Sequence, residues 1–166
     1  MDLASSGTND VVKHALHKYS NMVRRICFMY LHNREDVEDV FQEVFLKLLQ
    51  SNITFQSEEH EKAWLCRITI NKCKDVSKSF WRKNTESIED KEIPFEDREE
   101  SGVLQAVLSL PKRFKEVVYL FYYEGYTAKE IAKILNQKEN TVYSNLHRAR
   151  ELLKHELGGS GYEYTF

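Results

Sequence analysis

The chain has 166 residues, 42% of them hydrophobic, with nine Phe and nine Tyr but only six Gly and two Pro. That leaves room for one ordinary domain or two small ones with packed cores, and too few turn-formers for a turn-rich all-β protein. The opening "MDLASSGTND" has no basic segment followed by an apolar run, and no apolar run approaches the roughly 20 residues that span a bilayer, so a cytoplasmic protein without signal peptide or membrane insertion is expected.

From about Asp10 to Asn84 one helical pattern follows another. "SNMVRRICFMYL" places Met22, Val23, Ile26, Met29 and Tyr30 on one face, and "REDVEDVFQEVFLKLLQ" does the same with Val37, Val40, Phe41, Val44, Phe45 and Leu48. The acids at the start of the second helix and Lys47 near its end suit the helix dipole. "SNITFQSEEHE" breaks the period and is expected to be a loop; "KAWLCRITINKCKDVSKSFWRK" resumes it with Trp64, Leu65, Ile68, Cys73 and Val76. Between Lys62 and Lys83 seven basic residues (Lys62, Arg67, Lys72, Lys74, Lys78, Arg82, Lys83) face Asp75 alone, a local charge near +6. The formal net charge of −2 therefore hides a basic block, and local sign matters more to a polyanion than the total.

Cys27, Cys66 and Cys73 are odd in number and lack CxxC spacing, which predicts buried reduced thiols rather than a metal or redox site. His14 and His17 have no further ligand at useful spacing and fit a surface helix. No Ser-His-Asp, Cys-His, phosphate-loop or metal-ligand constellation is present, so no catalytic residue, no metal and no cofactor are expected.

"NTESIEDKEIPFEDREE" follows, with eight acids against Lys91 and Arg98 between Thr85 and Glu100, near −6, and almost no apolar content. Such a segment cannot bury enough surface to order itself and predicts a solvated linker. "GVLQAVLSL", Pro111 in a first-turn position, and "KRFKEVVYLFYYEG" begin a second helical unit, while "GGSGYEYTF" predicts a flexible tail. The expected fold is all-α: two small helical domains, 10–84 and 101–157, joined by a flexible acidic linker, 85–100, with a tail at 158–166.

Within the second unit, "GYTAKEIAKILNQKENTVYSNLHRAR" (Gly125 to Arg150) has two short helical patterns separated at Asn136. Thr127 and Glu130 have capping-box spacing, and Asn suits a left-handed residue at the break. Val142 and Leu146 anchor the second helix, leaving Thr141, Tyr143, Ser144, Asn145, His147 and Arg148 to face outward. A helix-turn-helix with an outward polar face fits a major groove; the alternative is a plain helical hairpin. From Pro111 to Leu157 nine basic residues face six acids, near +3.

The two halves together carry a resemblance. Leu110-Pro111, Arg113, Val117, Glu124-Gly125, Thr127, Glu130-Ile131-Ala132, Thr141-Val142, Ser144 and Leu146 to Arg150 resemble region 4 of bacterial sigma factors. Asp39, Gln42-Glu43, Phe45, Trp64-Leu65, Arg67-Ile68, Asn71 and Asp75 resemble region 2. The layout, two regions over about residues 15 to 155, resembles the extracytoplasmic-function (group 4) subfamily of the sigma-70 family.

The resemblance implies a specificity subunit of bacterial RNA polymerase with no catalysis of its own. The helix from Asp36 to Leu49 would dock on a β′ coiled coil of core polymerase through Asp36, Asp39, Gln42 and Glu43, with the β subunit as a further contact. An acidic face is a poor surface for DNA and a better one for a protein. A flipped −10 base would enter a pocket formed by the loop from Ser51 to Lys62, with Phe55, Lys62, Trp64, Arg67, Asn71, Lys72, Lys74 and Lys78 on the single strand. Trp64 has two readings, a core aromatic, which is preferred, and a stacking platform. The −35 duplex would meet Lys138, Asn140, Thr141, Tyr143, Ser144, Asn145, His147 and Arg148. An anti-sigma factor is a further implied partner.

Three features depart from the family pattern. "EEHEK" (Glu58 to Lys62) is acidic where small, aromatic or basic residues often stand. Tyr143 and Asn145 occupy positions where many relatives have Lys or Arg, and Glu139 and Asn140 replace smaller uncharged residues. Fewer phosphate contacts and an unusual −35 sequence are expected, with Asn145 reading adenine or bonding a phosphate. The competing readings are a duplex-binding regulator independent of core polymerase, a recombinase-type enzyme, and an adaptor that binds polymerase only.

Overall fold

The computed structural model describes residues 3–83 and 102–157, and the chain divides into two compact units. The expectations for the linker at 85–100 and the tail at 158–166 lie outside the described residues, as do the side chains of Arg82 and Lys83.

The first unit is three helices, α1 (Leu3–Tyr30), α2 (Arg34–Gln50) and α3 (Glu58–Lys83), each packed on the other two. The apolar periods point where the sequence places them. Met22, Val23, Ile26, Met29 and Tyr30 of α1 are buried against Val37, Val40, Val44, Phe45 and Leu48 of α2 and Leu65, Ile68, Ile70 and Cys73 of α3. Phe41 is only half-buried, its outer face covered by the Arg24 guanidinium 4.0 Å from the ring centroid. Helix α1 starts at Leu3 rather than near Asp10, and the first buried side chain among the described residues is Ala15. All three cysteines are buried thiols outside any disulfide, as expected, and Cys66 Sγ donates weakly to Met22 Sδ at 3.6 Å.

Polar residues set the helix ends. Asn33 Oδ1 accepts from the Asp36 N–H at 2.7 Å, and Asn33 Nδ2 donates to the Asp36 carboxylate at 2.8 Å. At the end of α2 the Ser51 N–H donates to Lys47 O (2.9 Å) and its hydroxyl to Leu48 O (2.8 Å). The connection to α3 is shorter than the expected Ser51–Lys62 loop, because "EEHEK" belongs to the helix. Ser57 Oγ accepts from the His60 N–H at 3.1 Å, the Glu61 N–H donates to Ser57 O at 3.2 Å, and Glu58, Glu59 and Glu61 sit at the positive helix end.

The second unit comprises α4 (Gly102–Ser109), α5 (Lys112–Val118), a π-helical turn (Tyr119–Tyr123), α6 (Ala128–Leu135) and α7 (Glu139–Leu157). Pro111 is the N-cap of α5, one residue before the expected first turn. The helix expected to run on toward Gly125 widens instead, and the Glu124 N–H reaches Tyr119 O at 3.2 Å. Gly125, at φ +74, then redirects the chain in a conformation that a Cβ would strain. Helix α7 packs on α4, α5 and α6 through Val142, Leu146, Ala149, Leu153 and Leu157.

Candidate nucleic-acid and polymerase interfaces

In the second unit the helix-turn-helix is built as its letters require. Thr127 Oγ1 accepts from the Glu130 N–H at 3.2 Å, while the Glu130 carboxylate accepts from the Thr127 N–H at 2.9 Å. Asn136 is left-handed at φ 53, ψ 51, and the Gln137 N–H closes α6 on Ala132 O at 2.9 Å. The turn carries a feature the sequence reading missed. Glu116 of α5, 3% exposed, accepts from Gln137 Nε2 at 3.4 Å, tying α5 to the turn before α7. A lone Glu inside "FKEVVYL" was the available signal.

Helix α7 turns Asn140, Thr141, Tyr143, Ser144, His147 and Arg148 outward, Tyr143 being 56% exposed, and Lys138, exposed, stands just before the helix. Asn145 does not join them. It is 9% exposed, because its place three residues after Val142 and four before Ala149 puts it in the inward row. Arg150 is occupied internally: its Nε donates to the Tyr122 hydroxyl at 2.8 Å, with the guanidinium 5.7 Å from the Phe121 ring centroid.

In the first unit Asp39, Gln42 and Glu43 lie exposed along α2, whereas the half-buried Asp36 is held in the Asn33 cap. Glu43 pairs with Lys72 Nζ at 3.4 Å, so one expected polymerase contact and one expected DNA contact meet each other. Leu46, Leu49 and Ile53 extend this region with exposed apolar side chains. Their signal in the sequence is that Leu46 and Leu49 fall off the inward period of α2.

Along α3, Trp64, Arg67, Asn71, Lys74 and Lys78 recur every three to four residues and form one stripe, exposed at Arg67, Asn71 and Lys78 and half-buried at Trp64 and Lys74. Lys62 and Lys72 are half-buried and lie off this row. Phe55 of the connecting loop is half-buried and meets Trp64 edge-on, ring centroids 5.5 Å apart. Trp64 thus keeps part of its ring at the surface, between the two roles considered for it. Of the acids in the first turn, Glu58 pairs with Lys18 at 2.6 Å. The hydrogen bond between them holds the Glu58 carboxyl below its ordinary pKa and the Lys18 ammonium above its own.

Comparison with known proteins now bears on this geometry. Residues 15–86 match the family model of sigma-70 region 2, and residues 102–153 that of sigma-70, region 4. RNA polymerase sigma factor SigV of Bacillus subtilis (strain 168) is 30% identical over 139 residues, covering 80% of this chain and 82% of SigV. The chain belongs to the sigma-70 family of RNA polymerase sigma factors. Within it, the extracytoplasmic-function sigma factor SigE of Mycolicibacterium smegmatis is 32% identical over 154 residues, 86% of this chain and 60% of that longer protein. The sigma factor RpoE of Bartonella quintana, solved with the anti-sigma factor NepR, shares the fold at TM-score 0.69 and 21% identity, over 90% of this chain and 98% of that one. The α1–α3 bundle is therefore region 2 and the α4–α7 unit region 4 of a sigma factor, the regions that bind the −10 and −35 promoter elements. No helix among the described residues is long and apolar enough to cross a membrane, and these residues hold no group of three or more His, Cys, Asp or Glu suited to a metal ion.

Proposed function

We propose a division of labour among named residues in promoter-specific initiation. Region 2 docks on core RNA polymerase through Asp39, Gln42 and Glu43 of α2, beside the apolar Leu46, Leu49 and Ile53, with Asp36 acting mainly through its helix cap. The α3 stripe of Trp64, Arg67, Asn71, Lys74 and Lys78 follows the melted −10 strand, with Phe55 and Trp64 offering ring surface to an unstacked base and Lys62 and Lys72 adding charge. Region 4 lays α7 in the −35 major groove through Asn140, Thr141, Tyr143, Ser144, His147 and Arg148, with Lys138 of the preceding turn beside them and Asn145 serving the core of the unit. Chemistry belongs to the polymerase, and the protein works in the cytoplasm. The pairing of RpoE with NepR supports an anti-sigma factor as regulator.

The observation that carries this reading is the α3 stripe. A ring surface followed by cations and an amide at one helical spacing suits a single strand, whose bases stack while its phosphates are neutralised. Reconstitution tests it. Core polymerase with this protein and no other sigma factor initiates at a specific promoter, and Arg67→Ala with Lys78→Ala abolishes opening while leaving core binding intact. Initiation nowhere beyond the core background overturns the reading. In region 4, a −35 footprint that survives Ser144→Ala and Arg148→Ala together removes α7 as the reader.

A further inference from the structure

The first turn of α7 has no apolar anchor of its own. Lys138, Glu139, Asn140 and Thr141 are all exposed, and the first buried side chain of the helix is Val142. The Thr141 and Val142 N–H groups both donate to Lys138 O, at 3.0 and 3.2 Å, so the helix begins on a residue that faces solvent. On the other side of these four residues stands Gln137, half-buried. Its backbone N–H ties the turn to α6, on Ala132 O at 2.9 Å, and its side chain ties the turn to α5.

That second tie is made by groups that are costly to bury. Glu116, buried on α5, accepts from Gln137 Nε2 at 3.4 Å, while Oε1 of the same amide is buried and accepts from no group among the described residues. Burying a carboxylate and an unpaired amide oxygen destabilises a unit that apolar side chains of similar size would not. The amide also has one workable orientation, because turned over it would set Oε1 against a carboxylate oxygen, acceptor against acceptor. What the pair supplies is direction. Burial of Val142, Leu146 and Ala149 is non-directional and tolerates small slides and rolls of α7, whereas a hydrogen bond weakens steeply away from its preferred distance and angle.

We infer that Glu116 is a positioning residue for −35 recognition: through Gln137 it sets the place of the α6–α7 turn on α5, and so the height at which Asn140 and Thr141 meet the duplex. It touches no DNA itself. The inference rests on the reading of α7 as the −35 helix given above. Its effect is graded along α7. Asn140 and Thr141 lie within about one helical turn of Gln137, while Arg148 lies beyond the buried Val142 and Leu146, which hold that part of the helix independently.

The test uses core polymerase reconstituted with the full chain and a pool of promoters that share one −10 element and are randomised across the −35 element. Asn140→Ala with Thr141→Ala marks the positions that depend on the start of α7, and Arg148→Ala marks those that depend on its middle. Gln137→Met keeps the length of the side chain and removes the donor. It flattens base preference at the positions marked by Asn140 and Thr141 by roughly three- to tenfold, the range one directed hydrogen bond carries, and leaves those marked by Arg148 unchanged. Its melting temperature does not fall, since the unpaired Oε1 leaves with the donor. Glu116→Gln, which keeps an acceptor oxygen, retains most of the preference. Glu116→Ala matches Gln137→Met, and the two changes together are no worse than either alone; if Glu116→Ala does not fold, Gln137→Met and Glu116→Gln decide the matter. An unchanged profile for Gln137→Met, an equal loss at every position, or a Glu116→Gln profile as flat as that of Gln137→Met overturns the inference. If Asn140→Ala with Thr141→Ala alters no position while Arg148→Ala does, the start of α7 reads nothing and this inference alone is overturned. If neither alters any position, α7 is not the reader, and the inference falls with that reading.

Discussion

Tyr143 and Asn145 are two positions apart on α7 and face opposite ways, so the same substitution has opposite consequences. Tyr143 is 56% exposed and Asn145 9%. Tyr143→Ala changes −35 base preference and leaves the melting temperature unchanged. Asn145→Ala leaves the preference unchanged and is neutral to stabilising, by about 0.5 kcal/mol, since Ala is the better helix former and no hydrogen bond to another described residue is lost. Thermal melts and a randomised −35 pool, run on both variants, separate the two; a shifted preference for Asn145→Ala would return it to the groove. Tyr143→Lys supplies a cation and steepens the salt dependence of −35 binding by about one unit of slope. A pH effect belongs to this scale as well. Glu58 is held below its ordinary pKa by Lys18, and Lys18 above its own by Glu58, so the pair's small contribution is present around neutral pH, is lost as pH falls through the lowered Glu58 value, and is lost again at high pH as Lys18 gives up its proton. Lys18→Met removes that part of the acid-side loss, measurable as a flatter dependence of melting temperature on pH below the ordinary carboxylate range.

Helices show which contacts letters can announce. The inward periods of α1, α2, α6 and α7 were legible because burial on one face repeats at helical spacing, as in Val37, Val40, Val44 and Leu48. The Thr127–Glu130 box and left-handed Asn136 were legible because each uses local backbone chemistry. Ser57 is an equally local cap, yet the acidic run after it resembled a solvated loop, and α3 was expected to begin several residues late. The π-helical turn at Tyr119–Tyr123 was not legible: widening the hydrogen-bond ring by one residue leaves no compositional mark. Nor was the Glu43–Lys72 pair, which joins α2 to α3 across tertiary space. The caps set the expected energies. Ser57→Ala and Thr127→Ala each cost about 1 kcal/mol, in the first and second unit respectively, by denaturant melts of the full chain. For exposed Glu43 and half-buried Lys72, a pair at the surface, a double-mutant cycle with Gln and Met gives a coupling below about 1 kcal/mol in the free protein. The same cycle on core binding gives a loss for Glu43→Gln whether or not Lys72 is present, if Glu43 belongs to the polymerase face. A loss that vanishes in the Lys72→Met background assigns Glu43 to the intramolecular pair alone.

Over the whole molecule, charge is sorted rather than balanced: near +6 from Lys62 to Lys83, near −6 from Thr85 to Glu100 and near +3 from Pro111 to Leu157. Each promoter-facing region therefore has a favourable field of its own, while the total stays close to neutral and limits indiscriminate DNA binding. With two readers on one chain, binding of the first raises the effective concentration of the second, so neither element needs to be strong. This makes a prediction that depends on both regions acting at once. On a promoter with its natural spacing, Arg148→Ala weakens initiation by roughly tenfold, the scale of one charge-assisted contact. Inserting about five base pairs between the elements rotates the −35 site by half a helical turn and removes its contribution. On that promoter the unaltered protein initiates weakly, and Arg148→Ala causes no further loss. The two changes are then non-additive, because each disables the same contact by a different route. Independent, multiplying losses would mean that Arg148 acts elsewhere than on the −35 duplex, and the tethered arrangement would have to be redrawn with α7 outside the promoter contact.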